Sequence, residues 1–547
     1  MAEQSELTVL IYFASDNPLA PLVVSEIKAI KDAGFQQDTN VVVYFDPLEK
    51  NVPTQLYDIN RRRKEQFRER SNQDPSQPKD QIGDGPDPFV RNVEEDMIDS
   101  SQLTPNMAAA LTGPASAEKS LSSFVEFGIE KFKAKRYFLI LAGHGMIVGN
   151  DAFLPDDDPI SAITLKQLGD IVGRFVEDGR TTLDLLCLHS CSMSSIEVAY
   201  QLRGKARYLM ATQGKAFVNS WPFRQLLKKT LNQVRRAAIV DIPELVNNLY
   251  GLCLHNATDF LFAGYSADLA LCHLDTEIVE GLKDPIQKLV ARLKRNLSPR
   301  ISLVKDLILL AHWESQSYFN ENYTDLFDFC KCLARRCADQ VLVFTNLKDD
   351  RAVAELQDLI SDCERVQQAL VSDDPAKRLV LRAEHIGPQY QYSRGLSIYF
   401  PWSRPSADQS PVTGQSRNII QNYQGYDFTV EFEHDSWFSF LDSYFTETMR
   451  PSRREEDGDK TLFEDFRELG VTSDGVETML LAGERAFRFG AELEKRTPEE
   501  GTRTPDVGAA CDCGSIKNYP LMFSISAGAL QAFRGVVDIQ PKEDGND

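Results

Sequence analysis

Two apolar runs in this chain stop at reactive residues, and they constrain its fold more tightly than any other feature. The first reads Arg136-Tyr137-Phe138-Leu139-Ile140-Leu141-Ala142-Gly143-His144-Gly145. The second reads Leu183-Asp184-Leu185-Leu186-Cys187-Leu188-His189-Ser190-Cys191-Ser192-Met193. Mostly apolar runs of this length, closed by small residues, suit parallel strands buried on both faces. Open parallel sheets carry their chemistry just beyond the carboxyl ends of the strands. His144 and Cys191 fall there, on two strands separated by one helical crossover. A thiol and an imidazole so placed make a candidate nucleophile and its proton-transfer partner.

The surrounding sequence alternates in the way such a sheet requires. Residues 6–13 and 40–46 read as strands around a helical pattern over 19–33, with Ser15-Asp16-Asn17 as turn and cap. Helical patterns follow over 116–133, 164–177 and 194–202, and a strand over 206–212. The expectation is α/β: a three-layer sandwich with a mostly parallel central sheet over residues 1–230. From about Asn232 helical patterns dominate, at 242–254, 282–297, 322–338 and 352–371, with short strands at 267–274 and 395–400. Residues 231–449 are therefore expected to form an α+β elaboration, and 450–547 a charged tail region of unassigned role. A polar stretch over about 58–88 reads as a mobile surface loop. Its basic run Arg61-Arg62-Arg63-Lys64 is a candidate processing site.

Composition narrows the partners. A formal net charge of −21 over 547 residues argues against nucleic acid and anionic membrane surfaces. No apolar run approaches the ~20 residues of a membrane-spanning helix. The acidic start, Met1 to Glu6, lacks a signal-peptide pattern, so a cytoplasmic location is expected. Ten cysteines without a repeating framework read as reduced thiols. Neither Cys330, Cys332 and Cys337 nor the Cys511/Cys513 pair has a second pair at zinc-site spacing, so no metal or cofactor site is assigned. Calcium at Asp156-Asp157-Asp158 is the one cation considered, because hard cations favour carboxylates.

A histidine beside an apolar run is more often structural, and free cysteine is among the most buried residue types. Their joint placement among small residues changes the balance, and the His-first separation is similar to that of caspases. The chain resembles the clostripain-like (C11) cysteine peptidases, a family with a caspase-type fold. Residues 12–19, the segment Ala142-Gly143-His144-Gly145 and the segment Ser190-Cys191-Ser192-Met193-Ser194-Ser195-Ile196-Glu197 carry the resemblance. So do residues 208–214, Gly395 to Pro401, and Trp437 with Phe440 and Leu441.

The resemblance implies a cysteine endopeptidase acting on protein or peptide substrates. Cys191 would be the nucleophile and His144 the general acid, with the N–H groups of Gly145 and Cys191 forming the oxyanion hole. Gly143, Thr212, Gln213 and His189 are its candidate substrate-binding residues. Several relatives that cut after Arg or Lys carry an aspartate two residues before the nucleophile, where this chain has His189. A neutral imidazole does not replace a carboxylate as a guanidinium partner. Glu197 or Asp151 are candidate substitutes; otherwise a polar or acidic preference is expected. Relatives of this fold are often matured by cleavage in a loop. That makes an activating protease or an inhibitor a candidate partner, with 58–88 and 203–207 as candidate cut sites. The alternative is a catalytically idle caspase-like scaffold that binds protein partners; a third reading is a cysteine-dependent hydrolase or transferase acting on small molecules.

Overall fold

The computed structural model describes residues 4–448 except 16–19, 48–53, 74–92, 114, 147, 150, 158, 178–182, 218–219, 237–239, 263–264, 298–301, 319–321, 403–407, 410–415 and 418. The expectations for the 450–547 region, Cys511 and Cys513, the Asp16-Asn17 turn, Asp158 and residues 74–88 of the 58–88 stretch lie outside the described residues.

The described strands in chain order are β1 (Ser5–Ser15), β2 (Thr39–Pro47), β3 (Gln55–Asp58), β4 (Ala134–Ala142), β5 (Phe153–Asp157), β6 (Ile160–Ile163), β7 (Leu183–His189), β8 (Tyr208–Ala211), β9 (Ala267–His273), β10 (Ser317–Tyr318), β11 (Tyr323–Asp325), β12 (Val380–Ile386), β13 (Ser397–Tyr399), β14 (Asp408–Gln409) and β15 (Ser416–Arg417). Eight of them form one sheet in the order β12-β9-β8-β7-β4-β1-β2-β3. The five central strands, β8 to β2 in that order, are parallel. Antiparallel strands close both edges, β3 at one and β9 with β12 at the other. The α/β architecture with a mostly parallel central sheet is as the sequence leads one to expect.

Alternate residues of the central strands feed two cores. Leu10, Val42, Leu139 and Leu186 pack with the helices Ala117–Lys131 and Leu165–Glu177. Val9, Val43, Ile140 and Leu185 pack with Ala20–Asp32, Phe223–Arg236 and Ile242–Phe262. Each strand is apolar on both faces because each face is covered, which is why the runs read as continuous rather than alternating. Local capping agrees: Ser116 accepts the Lys119 N–H at the start of Ala117–Lys131.

The boundary at residue 230 is not a boundary of the sheet. Both β9 and β12 come from the later region and extend the sheet beyond β8. The core on the first face is also continuous across the two regions, from Leu10 to Phe445. A second departure concerns the basic run. Arg61–Gln73 is a helix, and Lys64 is buried against Asp58 at 3.3 Å, so Arg61–Lys64 is not a loop tip. Likewise Arg203 is held by Glu280, Asp427 and Glu431, and the Gly204 N–H bonds the Leu274 carbonyl at 2.7 Å. Cleavage at 203–207 would cut a pinned connection into β8. Among the described residues no helix is long and apolar enough to cross a membrane.

Candidate active site

Register sets the site. β4 and β7 are parallel neighbours with Ala142 opposite His189. Two residues beyond each lie His144 and Cys191, so equal extensions of paired strands bring imidazole and thiol to the same edge of the sheet. Gly145 presses against Cys191 itself. A Cβ at Gly145 would lie 1.8 Å from the Cys191 carbonyl oxygen and 2.8 Å from its nitrogen, so no other residue fits. His144 is half-buried, and its carbonyl accepts the Leu154 N–H at 3.1 Å.

The chain turns sharply after the thiol. Ser192 takes φ 54, a left-handed conformation that costs a non-glycine residue about 1–2 kcal/mol. Three bonds hold it there: Ser192 N–H to the Gly214 carbonyl at 3.0 Å, Ser192 Oγ to the Gln213 carbonyl at 3.3 Å, and Ser194 N–H to the Thr212 carbonyl at 2.9 Å. Ser195 then caps the helix Ile196–Gln201. On the other side β13 lies along the same segment, with the Ser397 N–H on the Ser194 carbonyl at 3.1 Å.

Cys191 is wholly buried. Its Sγ accepts the Ala216 N–H at 3.3 Å and faces the Ala216 carbonyl at 3.7 Å. The segment Lys215–Phe217 therefore covers the thiol.

The four expected substrate-binding residues fare differently. His189 is 5% exposed; its Nε2 lies 2.8 Å from the Phe217 carbonyl and 3.2 Å from Ser220 Oγ, and its ring stacks on Trp221 at 4.7 Å. Burial pushes its pKa down to about 4, so it is neutral, with the Nε2 proton donated to the carbonyl. Trp221, Phe217 and Ser220 wall the imidazole off in this arrangement. Gln213 is engaged as well. It is fully buried, its Nε2 donates to Asp325 at 2.9 Å and its Oε1 accepts the Gly395 N–H at 2.8 Å, which leaves little capacity for a substrate. Gly143 gives its N–H to the His189 carbonyl at 3.3 Å and packs on Ala14 and Leu154, so it is a spacer between strands. Thr212 donates to the Ser190 carbonyl at 3.2 Å and lines a small cavity beside the site.

The candidate guanidinium partners are engaged elsewhere. Glu197 accepts the Tyr399 N–H at 2.9 Å and the Tyr423 hydroxyl at 2.8 Å, inside the core. Asp151 accepts the Tyr426 hydroxyl. Two buried carboxylates that sequence reasoning missed stand behind the thiol's cover. Asp268 accepts the N–H groups of Gln213 at 2.7 Å and Gly214 at 2.9 Å. Asp325 accepts Gln213 Nε2, the Asp328 N–H at 2.8 Å and the Arg394 N–H at 2.6 Å. Burial pushes Asp268 up to about 6 and Asp325 up to about 7. No sequence signal marked them, because their partners arrive from distant segments.

Among the described residues no group of three or more His, Cys, Asp or Glu is placed to hold a metal ion. Asp156, of the calcium candidate, is buried on β5. None of the eight described cysteines forms a disulfide.

A family model described as the clostripain family, peptidase group C11, matches residues 11–403. No curated protein sequence matches the chain. Among solved structures, the chain is similar to an inactive zymogen C11 protease from Parabacteroides distasonis, at 16% identity and a TM-score of 0.44 over 81% of this chain and 99% of that one. It is also similar to a secreted C11 cysteine protease from Bacteroides thetaiotaomicron, at 13% identity and a TM-score of 0.47 over 79% of this chain and 100% of that one. The same kind of likeness, with a TM-score of 0.45 and 13% identity over 79% and 99%, holds for a secreted C11 cysteine protease from Bacteroides thetaiotaomicron in complex with an irreversible peptide inhibitor.

Proposed function

Since the chain belongs to the clostripain family of cysteine peptidases, we propose that it is an endopeptidase that cuts protein substrates through Cys191 and His144. The observation that carries this reading is the register of β4 and β7, with Ala142 opposite His189, together with the close approach of Gly145 to the Cys191 backbone.

The reaction follows from those atoms. The Cys191 thiolate attacks the scissile carbonyl carbon, a C–S bond forms, and the carbonyl π pair moves to oxygen. The N–H groups of Gly145 and Cys191 receive the oxyanion. Collapse breaks the C–N bond, and the His144 imidazolium gives its proton to the leaving amine. His144 then takes a proton from water, which attacks the thioester and releases the acid and the thiol.

The protein is made latent and is activated by a cut or by movement of the cover. The wholly buried thiol, bonded to Ala216 on both of its backbone groups, supports this part. An activating protease, or the enzyme itself, supplies the cut, and an inhibitor acts by holding the cover in place.

The test is a digest of an unfolded protein substrate by the wild type and by Cys191→Ala, each before and after a trace of trypsin, read by mass spectrometry. Internal cuts made by the wild type alone are expected. Identical digests from both proteins in both conditions contradict the peptidase reading and leave the scaffold reading standing.

A further inference from the structure

Between β4 and β5 the described residues form neither helix nor strand. Their buried backbone groups must therefore find partners outside regular secondary structure. Those partners come from far along the chain. Tyr323 of β11, fully buried, donates its hydroxyl to the Met146 carbonyl at 3.3 Å and accepts the Val148 N–H on the same oxygen. Tyr426 accepts the Gly149 N–H at 2.8 Å and donates to Asp151. Asn422 Nδ2 donates to the Gly149 carbonyl at 2.9 Å.

The segment so held begins one residue after Gly145, whose N–H receives the oxyanion in the proposed reaction. That N–H is fixed from its other side as well. It shares a planar trans peptide with the His144 carbonyl, so the two groups point in opposite directions. The His144 carbonyl accepts the Leu154 N–H at 3.1 Å. Leu154 makes this bond from φ 47, a left-handed backbone disfavoured for a non-glycine residue, where the register shifts between β5 and β6. The sheet that carries Tyr323 also reaches the thiol segment. β11 pairs with β13, Tyr323 opposite Tyr399 and Asp325 opposite Ser397. Ser397 gives both its N–H and its hydroxyl to the Ser194 carbonyl, each at 3.1 Å, three residues after Cys191. One small sheet, β10-β11-β13, thus braces the histidine segment through Tyr323 and the nucleophile segment through Ser397.

We propose that Tyr323 is a positioning residue for the oxyanion hole: its hydroxyl, seconded by that of Tyr426, holds Met146 and Val148 so that the Gly145 N–H stays aimed at the oxyanion formed over Cys191. The inference rests on the peptidase reading. Loss of an oxyanion donor costs about 10²–10³ in kcat, and a displacement of about 1 Å in an active site costs about 10²-fold. Tyr323→Phe keeps the ring and its edge-on packing against Tyr399 while removing the hydroxyl. The donor is then loosened, not lost. A hydroxyl that only satisfied buried backbone groups would change stability and leave the rate at each active site alone.

The experiment uses the activated full chain, with every rate divided by the concentration of active sites titrated with an irreversible peptidyl electrophile. In Tyr323→Phe, kcat is expected to fall about 10–100-fold with KM within about twofold of the wild type. A peptidyl aldehyde gives a second readout. The Cys191 thiol adds across its C=O, sulfur to carbon and proton to oxygen, which puts that oxygen in the place of the oxyanion. Its Ki is expected to rise by a factor similar to the fall in kcat. Tyr250→Phe is the control. Its hydroxyl is buried too, but donates to the Leu269 carbonyl at 2.8 Å in the core on the other face of the sheet, and its kcat per site is expected to match the wild type. Wild-type kcat and Ki in Tyr323→Phe, or an equal fall in Tyr250→Phe, overturn the inference and leave the peptidase standing. Should Tyr323→Phe yield no folded protein, Tyr426→Phe decides: a kcat lower by about threefold to tenfold supports the inference, and an unchanged kcat overturns it. Absence of any Cys191-dependent cut overturns the peptidase reading and the inference with it.

Discussion

Two sets of polar side chains lie within a few residues of each other at the carboxyl edge of the sheet, and they are built in opposite ways. His144 and Cys191 stand at the ends of paired strands among glycines and serines, where the backbone comes close and the side chains are short of bulk. Asp268, Asp325 and Glu197 sit just behind, each bonded to two or three backbone or side-chain donors drawn from separate segments. Residue type does not distinguish a reactive group from a structural one here, because carboxylates close to a nucleophile are ordinary candidates for chemistry. Bond occupancy does. A carboxylate whose acceptors are filled by backbone N–H groups fixes the shape of a loop, and the loop it fixes is the one over the thiol.

The comparison breaks most visibly if substitutions in the first set spare activity. Cys191→Ala is expected to lower turnover by at least about 10³-fold while the melting temperature stays close to that of the wild type. Gly145→Ala is expected to cost roughly 10²–10³ in kcat, since its Cβ would meet the Cys191 carbonyl oxygen at 1.8 Å and push away a donor to the oxyanion. Circular dichroism alongside peptide hydrolysis checks both, and an active Gly145→Ala enzyme would show that the oxyanion lies elsewhere.

The second set is sharpened by two amide replacements of unequal effect. Asp325→Asn places an NH2 group where a carboxylate oxygen accepts a donor, so one or two buried donors lose their partner. The expected loss is about 2–4 kcal/mol in urea unfolding. Glu197→Gln keeps the oxygen that serves Tyr399 and Tyr423 and places the NH2 at Oε2, which has no hydrogen-bond partner. Its expected effect is under about 1 kcal/mol. Equal effects of the two changes contradict the occupancy argument.

The smallest effect is a slope with pH. Asp268 and Asp325 have folded pKa values of about 6 and about 7, above the ~3.9 of an unfolded chain. The native state thus binds more protons than the unfolded state between those limits. Their contribution to stability is fully present below about pH 4 and is lost as pH rises through 6 to 7. Melting of the inactive Cys191→Ala protein is expected to decline more steeply from pH 4 to 7 than melting of the same protein carrying Asp325→Asn. Parallel profiles contradict the assignment.

Much of this was legible in the chain. The parallel strands, their covering helices and the edge where His144 and Cys191 meet follow from apolar runs and caps, which are local. Long-range pairing was not legible. Strand β12, Val380–Ile386, is half-exposed and mixes Arg382, Glu384 and His385 with apolar residues, and its pairing with β9 follows a long helical excursion. Gln213 looked like a loop residue open to substrate because its partners, Asp325 and Gly395, are far away in sequence. His189 reads as a pocket residue from its place two residues before Cys191, while Trp221, which stacks on it, comes from the segment after β8. In each case the deciding contact joins segments that no local pattern connects.

The most direct test of the central claim, that Cys191 is a nucleophile served by His144, is stoichiometric labelling by an irreversible peptidyl electrophile, followed by mass spectrometry of the intact and digested protein. After activation, one label per chain is expected, on Cys191, in the wild type, with the rate reduced at least about a hundredfold in His144→Ala and no label in Cys191→Ala. Labelling of another cysteine, or an equal rate in His144→Ala, would contradict the account.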